Sequence, residues 1–292
     1  MHLRSRNLLS LFFVADLCLL LPAMNADAAW APDPAFGLGD AGRFAVLSLG
    51  KPTAETLGQA KLDLSSATIN GDTGVGPYGT LDFQGPSTID GNLYLDPTLL
   101  PQDIITDAGT VTGSRVTTRD LSGAVNDALS AAAANAALTP TQSFGTITTS
   151  MTIVGSGGLN VIAITSLDYS GSSNTTPLQL TLTGGTNDRF VLNVSGKFEL
   201  GPGARITGID PSRVLINVLP GTVPVQFAAN SHVGGTLLSP ERKMGPLQGL
   251  SGPIIGGWVK EISLIGGAIV SHSTDAGNSD QGRWKRRISF PE

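Results

Sequence analysis

Cysteine is almost missing from this sequence, and aromatic and charged residues are few. The one cysteine, Cys18, lies in an apolar run near the N-terminus, so the rest of the chain forms no disulfide. Core burial and backbone pairing must therefore stabilise the fold, which favours a large and regular domain. Aromatic residues make up 5% of the chain. This scarcity disfavours a carbohydrate site built from stacked Trp and Tyr rings.

The sequence also lacks a strongly basic region that would indicate a nucleic-acid partner. The formal net charge is −5, and no basic face is evident. The one basic cluster, RWKRR at Arg283–Arg287, could contact an acidic polymer or a membrane surface, but an exposed tail is the favoured interpretation. Beyond the N-terminal run, no segment is long and apolar enough to cross a bilayer. We therefore expect neither a nucleic-acid partner nor a membrane span in the mature chain.

The N-terminus has the three parts of a secretory signal peptide. A short basic region (HLRSR) precedes an apolar one (NLLSLFFVADLCLLLPA), and Ala26-Asp27-Ala28 fits an A-x-A cleavage site. Asp16 interrupts the apolar run, which is already short for a membrane anchor. The sequence predicts a signal peptide over residues 1–28, cleaved after about Ala28, and therefore a secreted, extracellular protein.

Short strands separated by Gly, Asn, Asp and Pro are predicted over most of the chain after Leu38. In PLQLTLTG, for example, Leu178, Leu180 and Leu182 alternate with polar residues. Gly-Asp, Gly-Gly and Asn-Gly recur between apolar triplets, as in INGDTGVG, IDGNLYL and VGGTLL, and their glycines permit a tight corner on each coil. Because no well-flanked hairpin turn is found, a β-solenoid is favoured over a sandwich. The predicted strands cover 43–49, 67–72, 79–83, 87–95, 109–118, 145–154, 159–169, 177–184, 188–200, 212–219, 224–229, 233–238, 252–259, 262–267 and 268–273.

One segment, residues 120–138, has the pattern of a helix. It is rich in alanine, its only β-branched residue is Val125, and Pro140 follows its end. We expect Asn126, Asp127 and Asn135 to lie away from its apolar side. Because most side chains of its apolar stripe are small, we expect the helix to lie close along one flank of the stacked strands. The predicted stripe consists of Leu121, Val125, Ala128, Leu129, Ala132 and Ala136.

Several phrases resemble a known family. LTLTGGTNDRFVLNVSG, SRVLINVLPG, HVGGTLLSPERKM and GPIIGGWVKEISLIGGAIVSH resemble the bacterial secreted choice-of-anchor A family. TINGDTGVGPYGTLDF, the alanine-rich helix and LGDAGRFAVL are similar to the related ice-binding-protein-like β-solenoids. The resemblance implies an all-β fold, a tapered right-handed β-solenoid with one long helix alongside. We expect one such domain over 29–275, including helix 120–138, and a C-terminal tail over 276–292.

The sequence offers little for catalysis or metal binding. The mature chain has only His232 and His272 as histidines, and no G-x-S-x-G motif accompanies them. Two histidines without cysteine make a tetrahedral zinc site unlikely. Aspartates at regular spacing could collect Ca²⁺, but the G-G-x-G-x-D repeat is absent, so turn-forming aspartate is favoured. We predict no catalytic residue, no cofactor and no metal, and hence a protein that is not an enzyme. The aspartates concerned are Asp63, Asp72, Asp82, Asp90, Asp96, Asp103 and Asp107.

The segment TITTSMTI, residues 146–153, places hydroxyl side chains on one side of a predicted strand. Such a row is either a contact surface, for example for ice, or the solvated side of a strand rich in threonine. Stacked strands about 4.8 Å apart would make the row regular. Together with LQLTLTGGT, it defines a candidate contact face for ice or another surface. This face consists of Thr146, Thr148, Ser150, Thr152, Thr181 and Thr183.

Three functions remain open on these observations. The leading hypothesis is a secreted, non-enzymatic matrix or adhesin-like protein that presents a rigid flat face to an extracellular polymer, a cell surface or another copy. The alternative is an ice-binding protein that uses a Thr/Ser-rich face. The third is a solenoid carbohydrate-active enzyme, which would require acidic residues from distant coils to cluster in a groove.

Overall fold

The described part of the chain forms a β-solenoid with one α-helix alongside, as predicted. The computed structural model describes residues 36–106 and 109–272, so the predicted signal peptide and the Arg283–Arg287 cluster lie outside the described residues. Parallel strands from successive coils form a 17-stranded sheet that bends around two faces of the solenoid and a nine-stranded sheet on the third. No helix in the described ranges is long and apolar enough to span a membrane.

The N-terminal half contributes the coils before the helix. Short 3-10 turns, among them Gly39–Arg43, Pro101–Asp103 and Pro211–Arg213, accompany the strands. The N-terminal strands are β1 (Val46–Gly50), β2 (Lys61–Ser65), β3 (Thr68–Asn70), β4 (Thr73–Val75), β5 (Thr80–Gln84), β6 (Thr88–Asp90), β7 (Leu93–Leu95), β8 (Ile104–Thr106), β9 (Thr110–Val111) and β10 (Arg115–Val116).

Helix α1 (Ser122–Ala136) connects this half to the C-terminal coils. The C-terminal strands are β11 (Gln142–Ile147), β12 (Met151–Val154), β13 (Leu159–Tyr169), β14 (Gln179–Thr183), β15 (Arg189–Val194), β16 (Phe198–Leu200), β17 (Arg205–Thr207), β18 (Val214–Val218), β19 (Val225–Phe227), β20 (His232–Val233), β21 (Thr236–Ser239), β22 (Met244–Leu247), β23 (Leu250–Ser251), β24 (Ile254–Trp258), β25 (Ile262–Ile265) and β26 (Ile269–Ser271).

The order of coils in space differs from their order in the sequence. The last C-terminal coil stacks on the first N-terminal one, through the parallel pairs β24–β1, β25–β2 and β26–β3. From β1–β3 the stack continues through β4–β6 and then β7–β9. The helix therefore returns the chain from one end of the solenoid to the other, where β11 begins the second half. We call the junction between β24–β26 and β1–β3 the seam.

Helix α1 lies against the outer side of the first face. Small buried residues, among them Ala124, Ala128 and Ala131, bring its axis close to the sheet. They pack on an apolar cluster that includes Leu47, Leu215 and Ile255 of the strands below. The predicted helix is thus confirmed. Leu121, Val125 and Ala128 of the predicted stripe are buried, but Ala136 is exposed, and Ala124 and Ala131 are buried although the predicted stripe did not include them.

Asparagine side chains hold this helix in place, which the sequence pattern did not predict. Asn193 Nδ2 donates to the carbonyl oxygen of Asn135 at 2.8 Å, and Asn217 Nδ2 donates to that of Ala132 at 3.0 Å. Asn135 itself is buried and donates to the carbonyl oxygen of Phe36 at 2.9 Å. The prediction that Asn135 lies on the polar side was therefore wrong, because the N-terminal segment covers that part of the helix.

Arg242 is the largest fully buried side chain of the described residues and joins three coils. Its guanidinium donates to the carbonyl oxygens of Leu219 at 2.6 Å and Ser195 at 2.6 Å, and also to that of Gly196. Burial lowers the pKa of the Arg242 guanidinium. Backbone carbonyls thus accept the hydrogen bonds of a guanidinium that is removed from water. The buried carbonyls in turn have this guanidinium as their donor.

Replacing Arg242 should strongly destabilise the protein. Arg242→Ala leaves several carbonyl oxygens without a donor, and we expect the free energy of unfolding to fall by about 3 kcal/mol or more. Urea unfolding followed by circular dichroism measures this change. The matched control is Arg43→Ala, because Arg43 is exposed and pairs only loosely with Asp40 at 3.7 Å. It should change stability by less than about 0.5 kcal/mol, and equal effects of the two variants would refute the role of Arg242.

His272 lies at the seam, directly after β26. Its Nε2 is 3.0 Å from the carbonyl oxygen of Gly42, which can only accept, so this nitrogen carries the hydrogen. Burial lowers the pKa of His272 below its usual 6.5, although the nearby Asp72 acts in the opposite direction. The folded state therefore favours the neutral ring, whereas the unfolded chain takes up a proton near pH 6.5.

Stability should consequently fall as the pH is lowered through the histidine range. The contribution of neutral His272 is complete above pH 6.5 and is lost as the pH decreases through the lower folded-state pKa. We expect His272→Gln, which retains a donor for Gly42, to flatten the pH dependence of the unfolding free energy below about pH 6.5. Denaturant titrations at several pH values test this. An unchanged pH slope in the variant would contradict the assignment.

Candidate functional site

The three faces of the solenoid have different outer surfaces. Helix α1 covers much of the first face, which is therefore unavailable for a large flat contact. The second face carries ion pairs along its strands. Lys61 lies 2.6 Å from Asp82, and Lys243 lies 2.7 Å from Glu261. Side chains of alternating charge are typical of a solvated surface.

The ion pairs of the second face also fix the charge of its side chains. Lys197 Nζ lies 2.7 Å from Glu199 and 3.0 Å from Asp168. The hydrogen bonds to Glu199 and then Asp168 raise the pKa of Lys197. Hydrogen bonds from Ser170 and Lys197 lower the pKa of Asp168. These groups are therefore paired in their charged forms, and they form no groove of unpaired acids.

The third face is a nine-stranded parallel sheet that no other described element covers. We call its outward surface the open face. In most strands the inward residue is aliphatic, as Ile69 is between Thr68 and Asn70, whereas in β23 it is the buried Ser251. The strand order is β12, β14, β17, β20, β23, β26, β3, β6 and β9.

Strand register aligns the outward positions of the open face in rows. Neighbouring strands of a sheet lie about 4.8 Å apart, so each row repeats at that distance. The first row extends over most of the sheet. A second row includes two groups of three residues in register, one of threonines and one of Ser, Asn and Asp. The first row runs Gln179, Arg205, His232 and, beyond β23, Ile269, Thr68, Thr88, Thr110; the two groups are Thr152, Thr181, Thr207 and Ser271, Asn70, Asp90.

The six residues predicted as a contact face do not share one surface. Thr152 and Thr181 are adjacent in register on the open face, and Thr183 lies beside Val154 on the same sheet. Ser150 lies at its margin, where its Oγ accepts from the Gln179 amide at 3.0 Å.

The other two predicted residues lie elsewhere. Thr146 belongs to β11 in the 17-stranded sheet, and Thr148 lies in the bend between β11 and β12. The predicted continuous strand over 145–154 is therefore wrong. The chain turns a corner of the solenoid over residues 148–150, which divides the hydroxyl row between two faces.

A second group of threonines on the open face was not predicted. Thr68, Thr88 and Thr110 follow one another in register at the opposite end of the sheet. The sequence does carry a signal for them, since each begins a similar phrase, TINGD, TIDGN and TVTGS. Recognising that repeat would have aligned these strands.

Hydrogen bonds between corners keep the repeated strands aligned. Asp72 Oδ1 accepts from the backbone amide of Asn92 at 2.8 Å, and Asn92 Oδ1 accepts from that of Ser114 at 2.9 Å. These bonds join residues 20 and 22 positions apart, the lengths of successive coils. The aspartate here forms a corner, in agreement with the turn-forming interpretation. No group of three or more potential metal-binding side chains occurs within 36–106 and 109–272.

The middle of the open face is less uniform. Gln179, Arg205 and His232 occupy consecutive register positions in the first row. The Gln179 side chain donates to Thr207 Oγ1 at 2.6 Å, so its amide lies along the surface. Arg205 is exposed. Threonine rows therefore occupy both ends of the open face, and larger side chains, among them Arg205 and Ile269, separate them.

Comparisons with known proteins find similar structures but no similar sequence. No family model and no curated protein matches the chain. An ice-binding protein from the Antarctic ascomycete Antarctomyces psychrotrophicus overlaps 81% of this chain and 97% of its own, with 18% identity and a TM-score of 0.45. An ice-binding protein from Arctic yeast overlaps 86% and 98%, with 15% identity and a TM-score of 0.47.

A bacterial structure is also similar. The DUF3494 domain of an ice-binding protein from Shewanella frigidimarina overlaps 82% of this chain and 97% of its own, with 15% identity and a TM-score of 0.40. These comparisons indicate no enzyme family. They do not confirm the choice-of-anchor A resemblance, which stays a prediction.

Proposed function

We propose that this protein is a secreted, non-enzymatic ice-binding protein that contacts ice through the open face. The observation that carries the proposal is the pair of threonine rows on one uncovered parallel sheet, Thr152–Thr181–Thr207 and Thr68–Thr88–Thr110. This favours the alternative from the sequence over the matrix or adhesin-like function.

Parallel pairing makes the open face suited to an ordered surface. The backbone bonds that join the coils hold the rows at a constant spacing of about 4.8 Å. Threonine is stiff at χ1 and short, so the rows present methyl and hydroxyl groups at defined positions. A face of this kind can order a layer of water that matches a crystal lattice, and little conformational entropy is lost on contact.

Contact with an extracellular polymer or a cell surface is a second candidate. Arg205 is exposed and follows Gln179 in the first row, with His232 next in register. A cation and neighbouring hydrogen-bonding groups at strand spacing suit an acidic polymer better than ice. This candidate depends on the middle of the open face, whereas ice binding depends on its threonine rows.

Bulky substitutions in the threonine rows should separate the two candidates. Thr88→Tyr and Thr181→Tyr each place a large ring in the centre of one row, and we expect each to remove most of the thermal hysteresis and ice-recrystallisation inhibition of the mature chain. The physical reason is steric, since one projecting ring lifts the neighbouring strands away from a flat lattice.

Thr80→Tyr is the matched control for these variants. Thr80 lies in β5, in the same coil as Thr88 but on the second face, where it pairs in register with Lys61. Thr80→Tyr makes the same substitution on another face, so it should leave thermal hysteresis and ice-recrystallisation inhibition unchanged. No thermal hysteresis of the wild type at high concentration, or an equal loss in Thr80→Tyr, would refute ice binding by the open face. Arg205→Ala should weaken retention on an acidic polysaccharide only if the second candidate is correct.

A further inference from the structure

The solenoid has an uncovered end at the coil formed by β11 and β12. Within the described residues, β11 pairs only with β13, and β12 pairs only with β14. One edge of each strand therefore lacks a partner strand. Unpaired backbone amides and carbonyls along such an edge form a template for another strand.

The core of the protein is also incompletely covered at this end. Phe144 and Met151 point toward the interior, as shown by their register with the buried Ile164 and Leu180, yet both are only partly buried. Residues 144–152 line a hollow of about 430 Å³. Nearby, Val154 is 61% exposed. Apolar area thus remains in contact with water beside the free edges, which favours burial against a partner.

Natural edge strands usually carry features that prevent association, and these are absent here. Residues 141–154 contain no charged residue and no proline. The opposite end of the solenoid differs, because Arg115 lies in the edge strand β10 and Asp103, Arg119 and Asp120 flank the edge strands, although β8 and β9 themselves carry no charge. Charged side chains on an edge oppose pairing with another chain, so the two ends are not equivalent.

We propose that the β11–β12 end is an interface for a second copy of this chain, joined head to head. An uncharged edge is complementary to an inverted copy of itself, since its donors and acceptors alternate along the strand. The longer edge strand, β11, pairs antiparallel with β11 of the second copy, and Phe144 of each copy is buried by the other. Because the charged opposite end does not match, the assembly closes as a two-fold dimer and does not extend into a filament.

Sedimentation velocity over a wide concentration range tests this interface directly. We expect the wild-type mature chain to show a monomer–dimer equilibrium. Thr146→Lys places a charge in β11, away from the open face, and should raise the dimer Kd by about tenfold or more. Thr118→Lys, in an exposed residue at the other end of the solenoid, is the matched control and should leave the Kd unchanged.

The result does not depend on ice binding, because Thr146→Lys leaves the threonine rows of the open face intact. Circular dichroism and the midpoint of urea unfolding verify that both lysine variants are folded. Hydrogen exchange of the β11 amides should slow with increasing concentration in the wild type only. A wild type that stays monomeric, or β11 amides protected equally at all concentrations, would mean that another segment of the same chain covers the end. Either result, or equal weakening by both variants, overturns the proposal.

Discussion

Parallel backbone pairing across the seam is the interaction on which the rest of the structure depends. The coils before the helix and the coils after it are separate in the sequence, and they form one stack only where β24–β26 meet β1–β3. Without these pairs, each half would expose unpaired strand edges at the seam, in the middle of the solenoid. The open face would also be divided, since Ile269 and Thr68 are neighbours only across the seam.

Helix α1 makes this arrangement possible and decides which face stays available. It returns the chain along the first face, where alanines allow close approach and the side chains of Asn193 and Asn217 donate hydrogen bonds to helix carbonyls. That face is consequently buried. The second face carries paired charges, which keep it hydrated, and the third is left flat and uncovered. The functional surface is thus determined by what occupies the other two.

Regular spacing on the open face has its origin at the corners. Asp72 and Asn92 bond to the next coil, while Gly71 adopts a φ of 131°, which a residue with a side chain rarely adopts. The corner geometry repeats because the strands are joined by short turns that these side chains bond to the next coil. Threonines that follow one another in register are therefore held at the spacing of the backbone itself.

The sequence by itself determined the fold class, the glycine corners and the position of the helix, because these depend on local pattern. Alternation in residues 177–184 predicted β14, and the alanine-rich segment predicted α1 to within two residues at each end. Local pattern missed β2, β8, β17, β22 and β23, whose short strands depend on pairing with neighbouring coils for their stability.

Only the tertiary structure decided which hydroxyl residues lie together. TITTSMTI has the alternation of one strand, but a corner at residues 148–150 sends Thr146 and Thr152 to different sheets. Thr68 and Thr152 are far apart in the sequence and lie on one face because the stack is closed at the seam. Strand register between distant segments produces this surface, and no local property of either segment specifies it.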